Sequence, residues 1–255
     1  MNENLLSVFK KELGYVNATN QYIELSVRIT EKEHSLDLKD GLKDLAKSVN
    51  LNVSTLTEDY MCRISKSYIV NIQSCFENFL KSFKDLPGSP TNIIQKSKSK
   101  DEDWLSWTLN TAFSNIESSI KIDIDVCEYY RLIRNYIIHN GKVSASIKSK
   151  YDIIKIVDNS KLDAPNRWDS LKFDDQVLFS RTAYRVAKYI FENSKYDINT
   201  IIEGYKKSLI SLAKPFQEPG SHSKAIKKIK YFISLLYPEL TNVDWEDEVD
   251  KLFSD

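Results

Sequence analysis

The scarcity of chain-breaking residues constrains this sequence more than any other feature. Six Gly and six Pro punctuate 255 residues, and in the long segments between them apolar side chains recur at three-and-four spacing rather than in alternation. A parallel sheet would need a βαβ rhythm, and none is visible. The sequence therefore predicts an all-α fold, a helical bundle with additional N- and C-terminal helices. Hydrophobic residues make up 42% of the chain, enough for a core that needs no covalent staples.

The stripes give approximate boundaries. A first helix is expected from residue 5 to about 36, either continuous or broken near Gly14, and a shorter one over 41–49. Thr55 and Glu58 form a capping box. From it Met61, Ile64, Tyr68, Ile72, Phe76, Phe79, Leu80 and Phe83 make one apolar stripe ending before Pro87. Residues 86–103 combine prolines, glycine, serines and a basic run that turns acidic, which reads as an exposed loop. Helices are expected over 104–120 and 123–139. In 142–170, YDIIKIV suits either a short strand or a helix, and LDAPNRWDS suits a turn.

Asp174 or Asp175 then opens a helix to about residue 194, with Val177, Leu178, Ala183 or Tyr184, Ala187, Ile190 and Phe191 inward. Four long helices suit a bundle over residues 58–198. Residues 1–57 form N-terminal helices packed on it, and residues 199–255 a helical extension.

Charge and cysteine content narrow the setting. Lys plus Arg and Asp plus Glu are 36 each, so contact with a polyanion must come from a local patch. Cys62, Cys75 and Cys127 are odd in number and lie in apolar helical runs. They read as buried, reduced thiols of a cytoplasmic protein. The first residues lack the apolar stretch of a signal peptide, and no run approaches a membrane span, so no membrane partner is expected.

The stretch 131–141, RLIRNYIIHNG, carries the candidate chemistry. Apolar or aromatic residues at Ile122, Val126, Tyr129 or Tyr130, Ile133 and Ile137 mark an amphipathic helix leading through it. Asn135 and His139 are four apart and share a face, while Arg134 points elsewhere in a regular helix. Gly141 reads as a left-handed C-cap, where a loosened last turn would bring the three together. Arg followed by Asn and, after three more residues, by His is expected by chance roughly 0.006 times in a chain of this composition. Imidazole titrates near neutrality, and guanidinium offers phosphate a planar fork of donors, so the pair suits a phosphodiester. Arg131 and Lys142 are candidate substrate-binding cations beside it.

Arg134-Asn135-x-x-x-His139, late in one helix of an all-helical chain, resembles the signature of HEPN-domain ribonucleases. The resemblance implies a helical bundle that dimerises so that two motifs face each other and RNA is cut without a metal. It also implies Arg134 and His139 as catalytic residues with Asn135 in support. Many such proteins are toxins or anti-phage effectors, which implies an antitoxin or defence-system partner. The bland alternative is a non-catalytic dimerisation or interaction module. There His139 favours the helix dipole, and Arg134 pairs with Glu128 or Asp125.

Elsewhere the lysines of 224–230, KAIKKIK, and Lys96, Lys98 and Lys100 read as solvated surface. The sequence has no glycine-rich phosphate loop, serine elbow or metal-spaced His/Cys cluster, so no cofactor or metal is expected.

Overall fold

Long apolar stripes become long helices. The computed structural model describes residues 3–33, 44, 46–51, 60–94, 97–100, 102–139, 144–156, 161–216, 222–243, 245, 248 and 249, and these contain no strand. The fold is all-α. Among the described residues it forms α1 (Leu5–Glu33), α2 (Tyr60–Asp85), α3 (Pro90–Ile93), α4 (Trp104–Ala112), α5 (Ser118–Ile138), α6 (Ala145–Ile154), α7 (Phe173–Asn193), α8 (Ile198–Ala213) and α9 (His222–Leu236), with short 3-10 turns at Lys214–Phe216 and Pro238–Leu240, and residues 44 and 46–48 are helical as well. None of them is long and apolar enough to cross a membrane.

The stripe on α2 behaves as its spacing predicts: Tyr68, Ile72, Phe76, Phe79, Leu80 and Phe83 are buried. So are Leu178, Ala183, Ala187, Ile190 and Phe191 on α7. α1 runs through Gly14 without a break. Within YDIIKIV, Tyr151–Ile154 form the end of helix α6, whose N-cap Ser144 accepts from Ile147 N at 3.3 Å, and Lys155 and Ile156 turn. Thr55, Glu58, Gly141 and Lys142 lie outside the described residues.

Three expectations are corrected. The helix expected over 104–120 stops at Ala112, because Phe113 turns extended (φ −130°, ψ 130°). Its ring packs on Tyr189 at 5.2 Å, and the Tyr189 hydroxyl accepts from Glu117 N at 3.3 Å just before α5. Ile122, placed in the core stripe, is exposed, and Asp123 is buried instead. The loop expected over 86–103 is packed at its start, where Ser89, Pro90 and Thr91 are buried and the Ser89 hydroxyl donates to Phe83 O at 2.8 Å, while Ile93, Ile94, Ser97, Ser99 and Lys100 are exposed as expected.

Contacts divide the chain into two compact units, residues 1–11, 76–121 and 184–255 in one and residues 12–75 and 122–183 in the other. One core cluster of the first comes from α8, α9 and the chain after them, with Ile201, Leu209, Ile229, Ile233, Tyr237 and Trp245 buried. Asp197 caps α8 by accepting from Thr200 N at 2.8 Å. Gly88 is its tightest point. It sits at φ +73° with its carbonyl accepting from Asp197 N at 2.9 Å, and an added Cβ would stand 2.6 Å from Asp197 O. Gly204 plays a similar part, since a Cβ there would meet Pro87 Cβ at 2.7 Å.

The second unit is organised by a buried carboxylate. Asp175 accepts from Tyr130 Oη at 2.8 Å, from Asn166 N at 2.8 Å and Nδ2 at 3.1 Å, and from Lys172 N at 2.8 Å. Burial pushes its pKa up, and these donors oppose that shift. Beside it, Tyr129 Oη donates to Asn166 O at 2.7 Å, and the Tyr130 ring stacks on Phe179 at 4.9 Å.

All four groups that meet Asp175 are donors, and an amide offers them one oxygen where the carboxylate has two. Asp175→Asn should therefore lower stability by about 2–4 kcal/mol in urea titrations followed by circular dichroism. In the other unit, Gly88→Ala meets both the positive φ and the Asp197 carbonyl. It should cost about 2–4 kcal/mol by the same measurement.

Candidate functional site

α5 holds the motif, and two tyrosines hold α5. Tyr129 and Tyr130 are both fully buried, so the either-or of the sequence pattern resolves as both. Val126 and Ile133 complete the buried side. One turn beyond Tyr130 the chain reaches Arg134 and Asn135, both half-buried, and it reaches exposed His139 at the end of the helix.

Arg134 Nη1 donates to Asn135 Oδ1 at 3.1 Å, so the arginine bends toward the asparagine. His139 N donates to Asn135 O at 3.0 Å, which keeps the last backbone bond of the helix intact. Arg134 and Asn135 thus meet without any loosening of the turn. Among the described residues no hydrogen bond joins the imidazole to either of them. Arg134 Nε is buried and lacks a hydrogen-bond partner among these residues.

The two acids weighed as partners of Arg134, Glu128 and Asp125, pair with other cations. Glu128 holds Arg131 in a two-pronged pair, with Nη2 to Oε1 at 2.6 Å and Nε to Oε2 at 2.7 Å. Asp125 is paired with Lys150 of α6. Sequence spacing reveals the first pair, three residues apart; it gives no sign of the second, which spans 25 positions. Arg131 is therefore an ion-paired residue on the same helix as the motif, and its guanidinium is held back by Glu128.

The thiols are less uniform than the sequence suggested. Cys127 is buried, but Cys62 and Cys75 are half-buried, and none of the three is in a disulfide. Burial, aided by Glu12, pushes the Cys75 thiol up to about 11, which makes it a poor nucleophile at neutral pH. Among the described residues no group of three His, Cys, Asp or Glu is placed to hold a metal ion.

On α9 the lysine face and the isoleucine face separate as expected: Lys224, Lys227 and Lys228 are exposed, while Ile226, Ile229 and Ile233 are buried. An open groove of about 600 Å³, lined by Tyr205, Ser208, Ser211, Leu212, Phe232 and Leu236 among others, contains no motif residue.

No protein-family model, curated protein or solved structure matches the chain. Its functional reading therefore rests on its own residues.

The Arg131–Glu128 pair is forked, and both side chains are largely shielded from solvent. Arg131→Ala should consequently lower stability by about 1–2 kcal/mol in urea titration, beyond what an exposed ion pair contributes.

Proposed function

We propose that the chain is a metal-independent endoribonuclease of HEPN type, acting through Arg134 and His139 with Asn135 in support. The observation that carries this reading is the state of Arg134: hydrogen-bonded to Asn135, while Glu128 and Asp125 are committed to Arg131 and Lys150. The helical neighbours of Arg134 three and four residues away are Tyr130, Arg131, Ile137 and Ile138, so its own helix offers it no adjacent carboxylate. Left with a neutral amide partner, it retains its charge for an anion such as a phosphodiester.

In this mechanism His139 takes the proton from a ribose 2′-hydroxyl, whose oxygen attacks phosphorus. The bond to the 5′-oxygen breaks, and that oxygen receives a proton from an imidazolium on the opposite side. One histidine cannot easily stand at both ends of the scissile bond, so two copies related by a twofold axis would supply one each. Arg134 neutralises charge developing on the phosphorane, and Asn135 orients Arg134. The products are a 2′,3′-cyclic phosphate and a free 5′-hydroxyl. By the same resemblance the setting is defence or toxin biology, with RNA as substrate and a restraining partner protein.

Purified protein incubated with total RNA or tRNA in EDTA should yield discrete fragments. His139→Ala and Arg134→Ala should each lower the rate at least about 100-fold with unchanged circular dichroism and oligomeric state. An all-deoxy analogue cut at a similar rate would sink the 2′-hydroxyl mechanism. Loss of assembly in the variants, with no cleavage by wild type, would instead favour an interaction module.

A further inference from the structure

Within residues 12–33, α1 turns its largest apolar residues outward, unlike a simple surface helix. Tyr15, Tyr22, Leu25 and Ile29 are 58%, 72%, 56% and 47% exposed, and with exposed Ala18 they form one line at spacings of three, four, three and four. The covered side mixes Leu13, Val16 and Val27 with polar residues. Asn20 and Glu24 are buried there, Asn17 bonds Ser180 and Gln176 at 2.7 and 2.9 Å, and Asn71 reaches Asn20 at 3.3 Å. A helix normally turns its apolar stripe inward and its polar stripe to water.

We propose that this outer stripe is a homotypic interface, along which α1 of a second copy lies antiparallel. Alternating three-and-four spacing averages 3.5 residues, the period at which two helices keep a seam in register. The four large side chains offer roughly 500 Å² per copy, within the range of functional patches on soluble proteins. Two copies would bury roughly 1,000 Å², enough for a concentration-dependent dimer.

Charge selects the occupant and its direction. Exposed Glu12 stands one turn before the stripe and exposed Lys32 one turn after it, with Tyr22 midway. An antiparallel copy sets Glu12 beside Lys32 at both ends, whereas a parallel copy would set Lys32 against Lys32. The inference does not depend on the ribonuclease reading, since none of these residues belongs to the Arg134–His139 motif.

Sedimentation velocity over a concentration series tests it. Wild type should dimerise reversibly. Tyr22→Glu/Leu25→Glu should weaken the dimer at least tenfold, while Ile156→Glu, at an exposed apolar residue off the stripe, should leave it unchanged. Glu12→Lys should weaken it too, and adding Lys32→Glu should restore it. Circular dichroism should be the same for every variant, because each position is exposed. A wild type that stays monomeric, or a dimer indifferent to Tyr22→Glu/Leu25→Glu, overturns the proposal; failure of Lys32→Glu to rescue Glu12→Lys overturns the antiparallel arrangement.

Discussion

The carboxylate of Asp175 is the constraint on which the motif-bearing unit depends. It draws a phenol from α5, a backbone and a side-chain amide from Asn166, and the backbone N–H of Lys172 at the start of α7 onto one point. A buried carboxylate is costly unless its lone pairs are filled, so the unit is stable only where all these donors arrive together. The cost of leaving such a charge unsatisfied makes the arrangement specific. Another packing of the same helices that buried Asp175 without Tyr130 or Asn166 would strand it. The phenols contribute in the same sense, because burial raises the pKa of Tyr130 and keeps it a donor.

Much of the fold was legible because it is local. The stripes on α2 and α7 needed only a period and a few breakers, and the buried sides followed from them. The break between α4 and α5 was missed because the apolar pattern bridges it; Ser114-Asn115, a turn signal, lies inside a stretch that otherwise reads as continuous. The role of Asp175 was only half visible. Its place at a helix start could be read, but its bond to a tyrosine 45 residues earlier has no local signature.

The motif divides the same way. Arg134, Asn135 and His139 were found from spacing, and the Arg131–Glu128 pair is a matter of helical neighbours. That Asp125 belongs to Lys150 is a fact of tertiary packing with no local signature. α1 shows the limit from another angle. Periodicity finds an apolar line on it, yet cannot say which side meets the core, and here the line with the larger aromatic content faces outward.

The anchoring of α5 also grades how firmly its chemistry is held. Arg134 lies four residues beyond Tyr130, about 6 Å along the helix axis, and His139 lies nine beyond, about 14 Å. The cation is thus a fixture of the scaffold, set by the same contacts that close the core around Asp175. His139 is exposed just past the last residue of α5, its backbone N–H donating to Asn135 O. An electrostatic group gains from being immobile before its target arrives, while a proton carrier gains from a small swing between two oxygens. In the proposed mechanism these two needs fall at two distances from a single clamp.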